Sequence, residues 1–530
     1  MTKSRRLPRI CVTATGETAA ALLDCARRAL AQSRFVELRL DWLPNPSEAL
    51  PRIAELLASA RKRPILQATC RRQANGGRFS GTVAQQLEIL RKAAAAGCVL
   101  VDLEIESAEA AGGQAVAELR RAARVILSFH DFESSPSLAP VARRLRRFSA
   151  DYYKVVTTAT RQSHNCAVLK FLEDSEGTED PEPGAGKWIA FCMGEAGVPS
   201  RVLALSRGSA LVYAAPSSAL SSSELEAVAA APGQLEFDTL RNRYRAERLT
   251  RETRIYGLLG NPVRHSVGAA IHNAAFRARR LDAVYVPLLA SDLNDFRNAA
   301  RRYPLSGFSV TIPHKEAILR WVDHADPWVK AAGAANTVRV RRGRWEATNT
   351  DIEGIRVPLR KVYRLAQQES LPRGFRAVIV GNGGAARAAV IALRSLRCRN
   401  ISVTGRNPAK VRRFARALDL RALPMEKLGT ETFDLLVNAT SVGMWPHEDE
   451  CLLRSEQIAS ATVFDLVYNP PETRLLRLAR ERGCRVISGL EMFLAQAARQ
   501  FEYWTGAEPP PRLMRKVAIA ELARLRGSTA

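Results

Sequence analysis

Acidic residues are in short supply in this chain. Its 530 residues set 53 Asp and Glu against 79 Lys and Arg, a formal net charge of +26. The excess is uneven, with 34 basic against 27 acidic residues in 1–250 and 45 against 26 in 251–530. Even so, the basic residues are scattered along predicted helices (Arg143, Arg144, Arg146 and Arg147; Arg412 and Arg413) and lack the aromatic interleaving of a nucleic-acid module. No nucleic-acid partner is therefore expected; anionic small ligands and solubility account for the charge. No apolar run approaches the ~18 residues of a membrane span, which excludes a membrane partner of that kind. Cysteine is sparse, nine residues with no C-x-x-C pair, which fits reduced thiols rather than a disulfide frame or a zinc site. No His/Cys/carboxylate cluster has ligand spacing, so no metal is expected. The start, Met1-Thr-Lys-Ser-Arg-Arg-Leu-Pro8, meets Ile10-Cys-Val-Thr13 without a signal-peptide core, and the expectation is a cytoplasmic protein.

What is present is more specific. Val378-Ile-Val-Gly381-Asn-Gly383-Gly384-Ala385-Ala386 reads as a strand, a tight turn and a helix N-terminus, where backbone N–H groups receive a pyrophosphate. The next strand, Asn400-Ile-Ser-Val-Thr404, ends where an NAD site offers a carboxylate to the ribose 2′-OH. Arg406 and Lys410 stand there instead. Two cations suit a 2′-phosphate, so NADP(H) is the expected cofactor, held by Gly381, Gly383, Gly384, Ala385, Arg406, Asn407 and Lys410, with Gly489 further on.

Upstream of residue 250, eight β-like runs recur at a spacing of roughly 20 to 35 residues, beginning at Ile10, Phe35, Pro64, Leu100, Arg124, Tyr152, Trp188 and Ala210. Eight strand–helix units in ~250 residues predict a (β/α)8 TIM barrel, with its chemistry at the C-terminal ends of the strands. Segments 175–187 and 217–223 read as exposed loops, and 241–252 as a helical, then charged linker with nothing in it that looks like core. Further strands near Ile255, Ala283, Gly307 and Thr337 predict a second α/β region of two lobes, the later one a Rossmann-type nucleotide domain, with a cleft between them. The expected domains are 1–247, 251–358, 359–488 and a C-terminal helical segment, 489–530, that completes the substrate lobe.

Polar residues fall at the barrel's strand ends. Glu37-Leu-Arg39-Leu-Asp41 alternates, so at period two its three charges share one face, and inside a barrel covered by helices they imply a polar ligand. Arg71 follows the third strand, His130 and Asp131 end the fifth, and Lys154 lies within the sixth. A lysine in an apolar strand can simply mark an edge. Beside a histidine, burial and nearby cations favour the neutral amine, which can attack a carbonyl to form a Schiff base.

The pieces Glu37-x-Arg39-x-Asp41, Thr69-Cys-Arg71, Ser128-Phe-His130-Asp-Phe, Lys154-Val, Met193-Gly with Arg201, and Ala231-Pro-Gly-Gln234 resemble type I 3-dehydroquinate dehydratase over nearly all of residues 9–245. The resemblance implies that Lys154 forms an imine with the substrate ketone and that His130 moves the proton of the adjacent C–H. It also implies that Arg201 and Gln234 hold carboxylate and hydroxyls over a floor of Glu37, Arg39 and Arg71. The chain departs from the family at Asn75, where a glutamate commonly precedes the Gly-Gly pair; an amide can orient an imidazole but does not stabilise its charged form as a carboxylate does. The stretch from Tyr213 to Gln234 is also longer than the family's closing loop.

Residues 254–528 resemble shikimate dehydrogenase through Gly260-Asn-Pro-Val-Arg-His-Ser266, Ile271-His-Asn273, Phe308-Ser-Val-Thr-Ile-Pro-His-Lys315, Gly333-Ala-Ala-Asn336-Thr, Asn349-Thr-Asp351, Asn438-Ala-Thr-Ser-Val-Gly-Met444, Asp465-Leu-Val-Tyr468-Asn-Pro and the run 489–496. This implies proton transfer by Lys315 with Asp351 as its partner, and substrate binding by Ser266, Thr311, Asn336, Tyr468 and Gln496. Gly268 replaces a serine that usually helps grip the carboxylate, which leaves the choice between shikimate and quinate open. The remaining histidines read as hydrogen-bonders (His265, His272, His314) or surface residues (His164, His324, His447). Together the resemblances imply a bifunctional enzyme of the shikimate pathway acting on 3-dehydroquinate, 3-dehydroshikimate and shikimate. The alternatives are a catabolic quinate/shikimate dehydrogenase, or a non-catalytic sensor of such ligands.

Overall fold

The structure, a computed structural model, describes residues 7–59, 64–176, 186–217, 231–264, 266–366 and 369–527. Most of the loops expected at 175–187 and 217–223, and His265, lie outside the described residues. The chain divides into two compact units, one holding Met1–Ile255 and Asp282–Pro304, the other Tyr256–Leu281 and Leu305–Arg526.

In the first unit the eight expected strands are observed as β1 (Ile10–Ala14), β2 (Phe35–Arg39), β3 (Ile65–Thr69), β4 (Leu100–Glu104), β5 (Arg124–His130), β6 (Tyr152–Thr158), β7 (Lys187–Met193) and β8 (Val212–Ala214). They form a parallel sheet in the order β7-β6-β5-β4-β3-β2-β1-β8, a near-closed (β/α)8 barrel. β1, β2 and β4 are buried along their whole length, as strands must be when helices cover one face and side chains fill the other.

Two expectations are corrected here. Asp41 does not continue the alternation of β2, because Leu40–Trp42 turns as a short 3₁₀ helix. The turn lets Arg39 Nε and Nη2 each donate to Asp41 at 2.8 Å, a bidentate pair that satisfies two buried charges together. The segment 241–252 is likewise not devoid of core. Leu240, Tyr244, Ala246 and Leu249 are buried in and around it, an apolar face hidden in sequence by the arginines between them.

Six further strands, β9 (Arg254–Gly260), β10 (Ala283–Leu289), β11 (Leu305–Val310), β12 (His324–Ala325), β13 (Thr337–Arg341) and β14 (Arg344–Thr348), form a mixed sheet in the order β10-β9-β11-β13-β14-β12. β12 and β14 were not anticipated. β13 and β14 pair as a hairpin across Arg342 (φ 50°) and Gly343 (φ 76°), the two left-handed residues of a tight hairpin turn, and an arginine in the first position conceals the usual Asn-Gly signal.

The third sheet is Rossmann-like and its strands run parallel: β15 (Arg376–Val380), β16 (Asn400–Thr404), β17 (Arg421–Ala422), β18 (Phe433–Asn438), β19 (Ser460–Asp465) and β20 (Arg485–Ile487), in the order β17-β16-β15-β18-β19-β20. Ala377 and Ile379 of β15 enter one buried cluster and Val378 and Val380 another, the pattern of a strand covered on both faces. The helix Gly489–Thr505 packs on Thr350–Val362. A Cβ at Gly354 would lie 2.9 Å from the Met492 carbonyl, so glycine permits the close approach that brings Asp351 and Gln496 onto one site.

Candidate active sites

One cavity opens among the barrel's strand ends, and Glu37, Arg39, Arg71, His130, Lys154, Arg201 and Gln234 all line it. Glu37 accepts from Thr13 Oγ1 (2.8 Å), Thr69 Oγ1 (2.6 Å) and Gln67 Nε2 (3.1 Å), neutral donors that fix a buried carboxylate. Arg71 pairs with Asp102 at 3.1 Å and Glu104 at 3.3 Å. Lys154 Nζ lies 2.8 Å from Asp102 Oδ2 and 4.1 Å from the centre of the Tyr213 ring. The lysine expected beside cations thus also has a carboxylate partner, because β4 presents Asp102 toward it. Asp102 and Glu104 lie outside the sequence expectation, although Asp102-Leu-Glu104 repeats the alternation that marks Glu37-Leu-Arg39. Lys154 and Arg71 hold the Asp102 carboxyl well below the usual carboxylate range despite its burial.

Arg201 differs from its neighbours. It is 2% exposed, donates from Nη2 to the Pro232 carbonyl (3.0 Å), faces the Phe191 ring and leaves Nε without an acceptor. No carboxylate pairs with it among the described residues, and burial pushes its guanidinium down to about 10. A buried cation without a counter-ion is an anion site in waiting. Gln234 Oε1 is also buried without a partner among the described residues, while its Nε2 donates to Thr13 Oγ1 at 3.2 Å.

Burial, with Arg71 and Lys154 nearby, holds the His130 imidazole well below its ordinary range, so the ring is neutral. Its ring stacks on Phe132 at 6.0 Å, and its Nδ1 has no partner among the described residues. Asn75 does not supply one, since its Nδ2 donates to Glu106 at 2.9 Å and its Oδ1 is itself without a partner.

In the second unit Lys315 Nζ is 2.6 Å from Asp351 Oδ2. The asparagine ahead of Asp351, Asn349, caps the helix that presents it, accepting from Asp351 N at 3.2 Å. Asn336 Nδ2 donates to the other Asp351 oxygen at 2.7 Å, and Asn336 Oδ1 accepts from Thr350 N at 2.8 Å. Gln496 Oε1 accepts from Thr350 Oγ1 at 3.4 Å, which places it beside this cluster. Thr311, at the end of β11, reaches β9 through Thr311 N to Leu259 O at 2.9 Å. Ser266 Oγ accepts from Gly268 N at 3.1 Å, and Tyr468 stacks on Phe493 at 4.6 Å. Gln500 was not anticipated. It is buried one turn beyond Gln496 and bridges Ser309 Oγ (3.1 Å) and Thr337 Oγ1 (2.9 Å), tying β11 to β13; its i+4 spacing from Gln496 is the signal. His272 is buried, its imidazole pushed down to about 3 by desolvation, and His314 is buried too. His164 is no bare surface residue, since it is half-buried and its Nδ1 accepts from Thr160 N at 3.4 Å.

At the nucleotide motif, β15 ends at Val380, Gly381 turns with φ 122°, and the helix Gly384–Ser395 begins with Gly383 as a cap that offers no side-chain acceptor. A Cβ on Gly383 or Gly384 would meet nothing within 4 Å, so open space stands over uncapped N–H groups. Ala385 lies in that helix's first turn. Asn407 caps the next helix, Pro408–Ala417, by accepting from Lys410 N at 3.0 Å, and Arg406 and Lys410 are exposed beside it. These residues fit a pyrophosphate and a 2′-phosphate. Gly489 has a packing reason of its own, because any Cβ there would strike the Val467 carbonyl.

Fold and sites together define a (β/α)8 barrel with a charged cavity at its strand ends, joined to a dinucleotide-type dehydrogenase. Family models match in the same order: type I 3-dehydroquinase over residues 10–250, the shikimate dehydrogenase substrate binding domain over 258–338, shikimate/quinate 5-dehydrogenase over 364–466 and the shikimate 5′-dehydrogenase C-terminal domain over 489–519. The chain is 32% identical over 498 residues to the chloroplastic bifunctional 3-dehydroquinate dehydratase/shikimate dehydrogenase of Arabidopsis thaliana, covering 90% of this chain and 79% of that protein. It is 40% identical over 291 residues to the NADP(+) shikimate dehydrogenase of Methanopyrus kandleri, covering 51% of this chain and 97% of the relative. Among solved structures, the shikimate 5-dehydrogenase of Thermus thermophilus with NADP(H) and shikimate is 33% identical, with a TM-score of 0.46 over 51% of this chain and 99% of that one. The chain belongs to the bifunctional 3-dehydroquinate dehydratase/shikimate dehydrogenase family.

Proposed function

We propose that the barrel dehydrates 3-dehydroquinate to 3-dehydroshikimate and that the second unit reduces this product to shikimate with NADPH. The observation that carries the reading is the barrel cavity, where Lys154, a neutral His130 and an Arg201 that no carboxylate among the described residues pairs converge. Arg201 takes the substrate carboxylate, while Glu37, Arg39, Arg71 and Gln234 receive its hydroxyls. Lys154 Nζ attacks the ketone, and the resulting imine acidifies the neighbouring C–H. His130 takes that proton and returns it to the departing hydroxyl, so that water leaves.

In the second unit, Ser266, Thr311, Asn336, Tyr468 and Gln496 hold the substrate, and Lys315 delivers a proton to the carbonyl oxygen with Asp351 fixing its ammonium. NADPH, when bound, supplies the hydride. Gly381, Gly383, Gly384 and Ala385 receive its pyrophosphate, Arg406, Asn407 and Lys410 its 2′-phosphate, and Gly489 keeps the backbone close behind. Nine free thiols suit a reducing compartment, and we assign the enzyme to the cytoplasm.

Borohydride trapping with 3-dehydroquinate tests the first half. A mass adduct on Lys154 is expected, and its absence from the wild type refutes the imine. For the second half, NADPH oxidation with 3-dehydroshikimate is expected in the wild type and lost in Lys315→Ala; unchanged turnover in that variant refutes the assignment of Lys315.

A further inference from the structure

We propose that Asp102 is the counter-ion of the iminium that forms on Lys154, held rigid for that purpose by Arg71 and Ser128. The inference rests on the imine reading of the barrel. Asp102 is fully buried on β4. Its Oδ2 receives Lys154 Nζ at 2.8 Å, and its Oδ1 receives Ser128 Oγ at 2.7 Å and Arg71 Nη2 at 3.1 Å. Ser128 and Lys154 are register partners on β5 and β6, so three adjacent strands converge on one carboxylate. Arg71 is steadied in turn by Glu104, whose other oxygen accepts from Gln86.

The atom balance says what such a carboxylate does. Overall, an ammonium and a ketone give an iminium and water. The N–C bond forms, the C=O bond breaks, and the oxygen leaves with two protons from the nitrogen. The nitrogen is positive before and after, and neutral as the attacking amine and again in the carbinolamine that loses water. A fixed carboxylate 2.8 Å away therefore favours both charged stages and opposes the neutral ones between them. Asp102 accordingly does not speed the attack; it preserves the iminium against hydrolysis long enough for His130 to act. The Tyr213 ring face, 4.1 Å from Nζ, acts in the same direction.

The test uses the full chain with Asp102→Asn and Ser128→Ala, the latter keeping the Lys154 contact while removing one support of the carboxylate. Each is mixed with 3-dehydroshikimate and borohydride from pH 5 to 9, and the adduct is measured by mass spectrometry. For Asp102→Asn the adduct at neutral pH should fall about tenfold and the acid limb of the trapping profile should move down by about one pH unit. Ser128→Ala should give the same two changes in smaller measure, and it decides the matter if Asp102→Asn does not fold. Wild-type yields and profiles in the folded variants would overturn the counter-ion while leaving the imine intact. A wild type that traps nothing, with or without these variants, brings down the imine reading itself and this inference with it.

Discussion

The two sites handle charge in opposite ways. In the barrel, Lys154, Arg71, Asp102 and Glu104 are locked together with at most a few per cent of their side chains exposed, and Arg201 waits beside them unpaired. In the dehydrogenase the Lys315–Asp351 pair is one third exposed at Lys315 and the nucleotide motif is open ground. The barrel carries its electrostatics ready-made among buried side chains, where a misplaced charge costs several kcal/mol. The dehydrogenase leaves much of its electrostatics to a ligand that brings phosphates of its own. Substitutions should therefore act all-or-none in the barrel and by degrees in the cofactor site.

The largest expected effect is at Lys154. Lys154→Ala should lower dehydratase turnover by at least about a thousandfold, since the covalent route is removed and not weakened. Lys315→Ala should cost the reductase about 10² to 10⁴-fold in kcat, the range of a lost general acid, measurable with 3-dehydroshikimate and NADPH.

Arg201→Met sharpens the contrast, because activity and stability should move in opposite directions. KM for 3-dehydroquinate should rise about a hundredfold or more. Denaturant midpoints should increase by the equivalent of about 1–3 kcal/mol, since a buried charge without a partner is removed. A less stable variant would mean that Arg201 is already neutralised in the free protein. At the open site, Arg406→Ala or Lys410→Ala should each raise KM for NADPH about tenfold with little change for NADH, a graded loss of one phosphate contact at a time.

The smallest effects concern stability against pH. His272, unfolded near 6.5 and folded at about 3, contributes stability that is full above pH 6.5 and lost as pH falls toward 3, by up to about 1.4 kcal/mol per pH unit. Asp465, pushed up to about 6 by burial, has the opposite sign: its protonated form is favoured in the folded state, so stability declines as pH rises from about 4 to about 6. Asp465→Asn should remove that decline, read by chemical denaturation at a series of pH values. Asn438 Nδ2 (2.9 Å) and Val467 N (3.1 Å) both donate to Asp465 Oδ1, so the Asn variant keeps these two acceptor contacts and turns its amide toward the Thr473 hydroxyl, which now donates to Oδ2 at 2.6 Å.

The contrast also explains what could be read from sequence. The barrel was legible because β-runs buried on both faces are continuous apolar stretches, and a charge interrupting one stands out, as at Glu37, Arg39 and Lys154. Asp102 and Glu104 carry the same signal on β4. The pairing of Lys154 with Asp102 joins strands two apart in the barrel and far apart in the chain, which spacing does not reveal. Asp41 escaped because β2 ends two residues before it, and the core of 240–249 because arginines interrupt it. Gly383 and Gly384 were readable as an anion cradle, while the packing role of Gly489 depends on a contact with Val467 that only the fold discloses.

One coupled assay bears on the central claim most directly: the full chain is given 3-dehydroquinate and NADPH, and shikimate is followed with NADPH oxidation. The wild type should make shikimate from 3-dehydroquinate. Lys154→Ala should do so only from 3-dehydroshikimate, and Lys315→Ala should stop at 3-dehydroshikimate. A wild type that oxidises NADPH with 3-dehydroshikimate but never with 3-dehydroquinate would contradict the account, for the barrel would then hold its charges without using them.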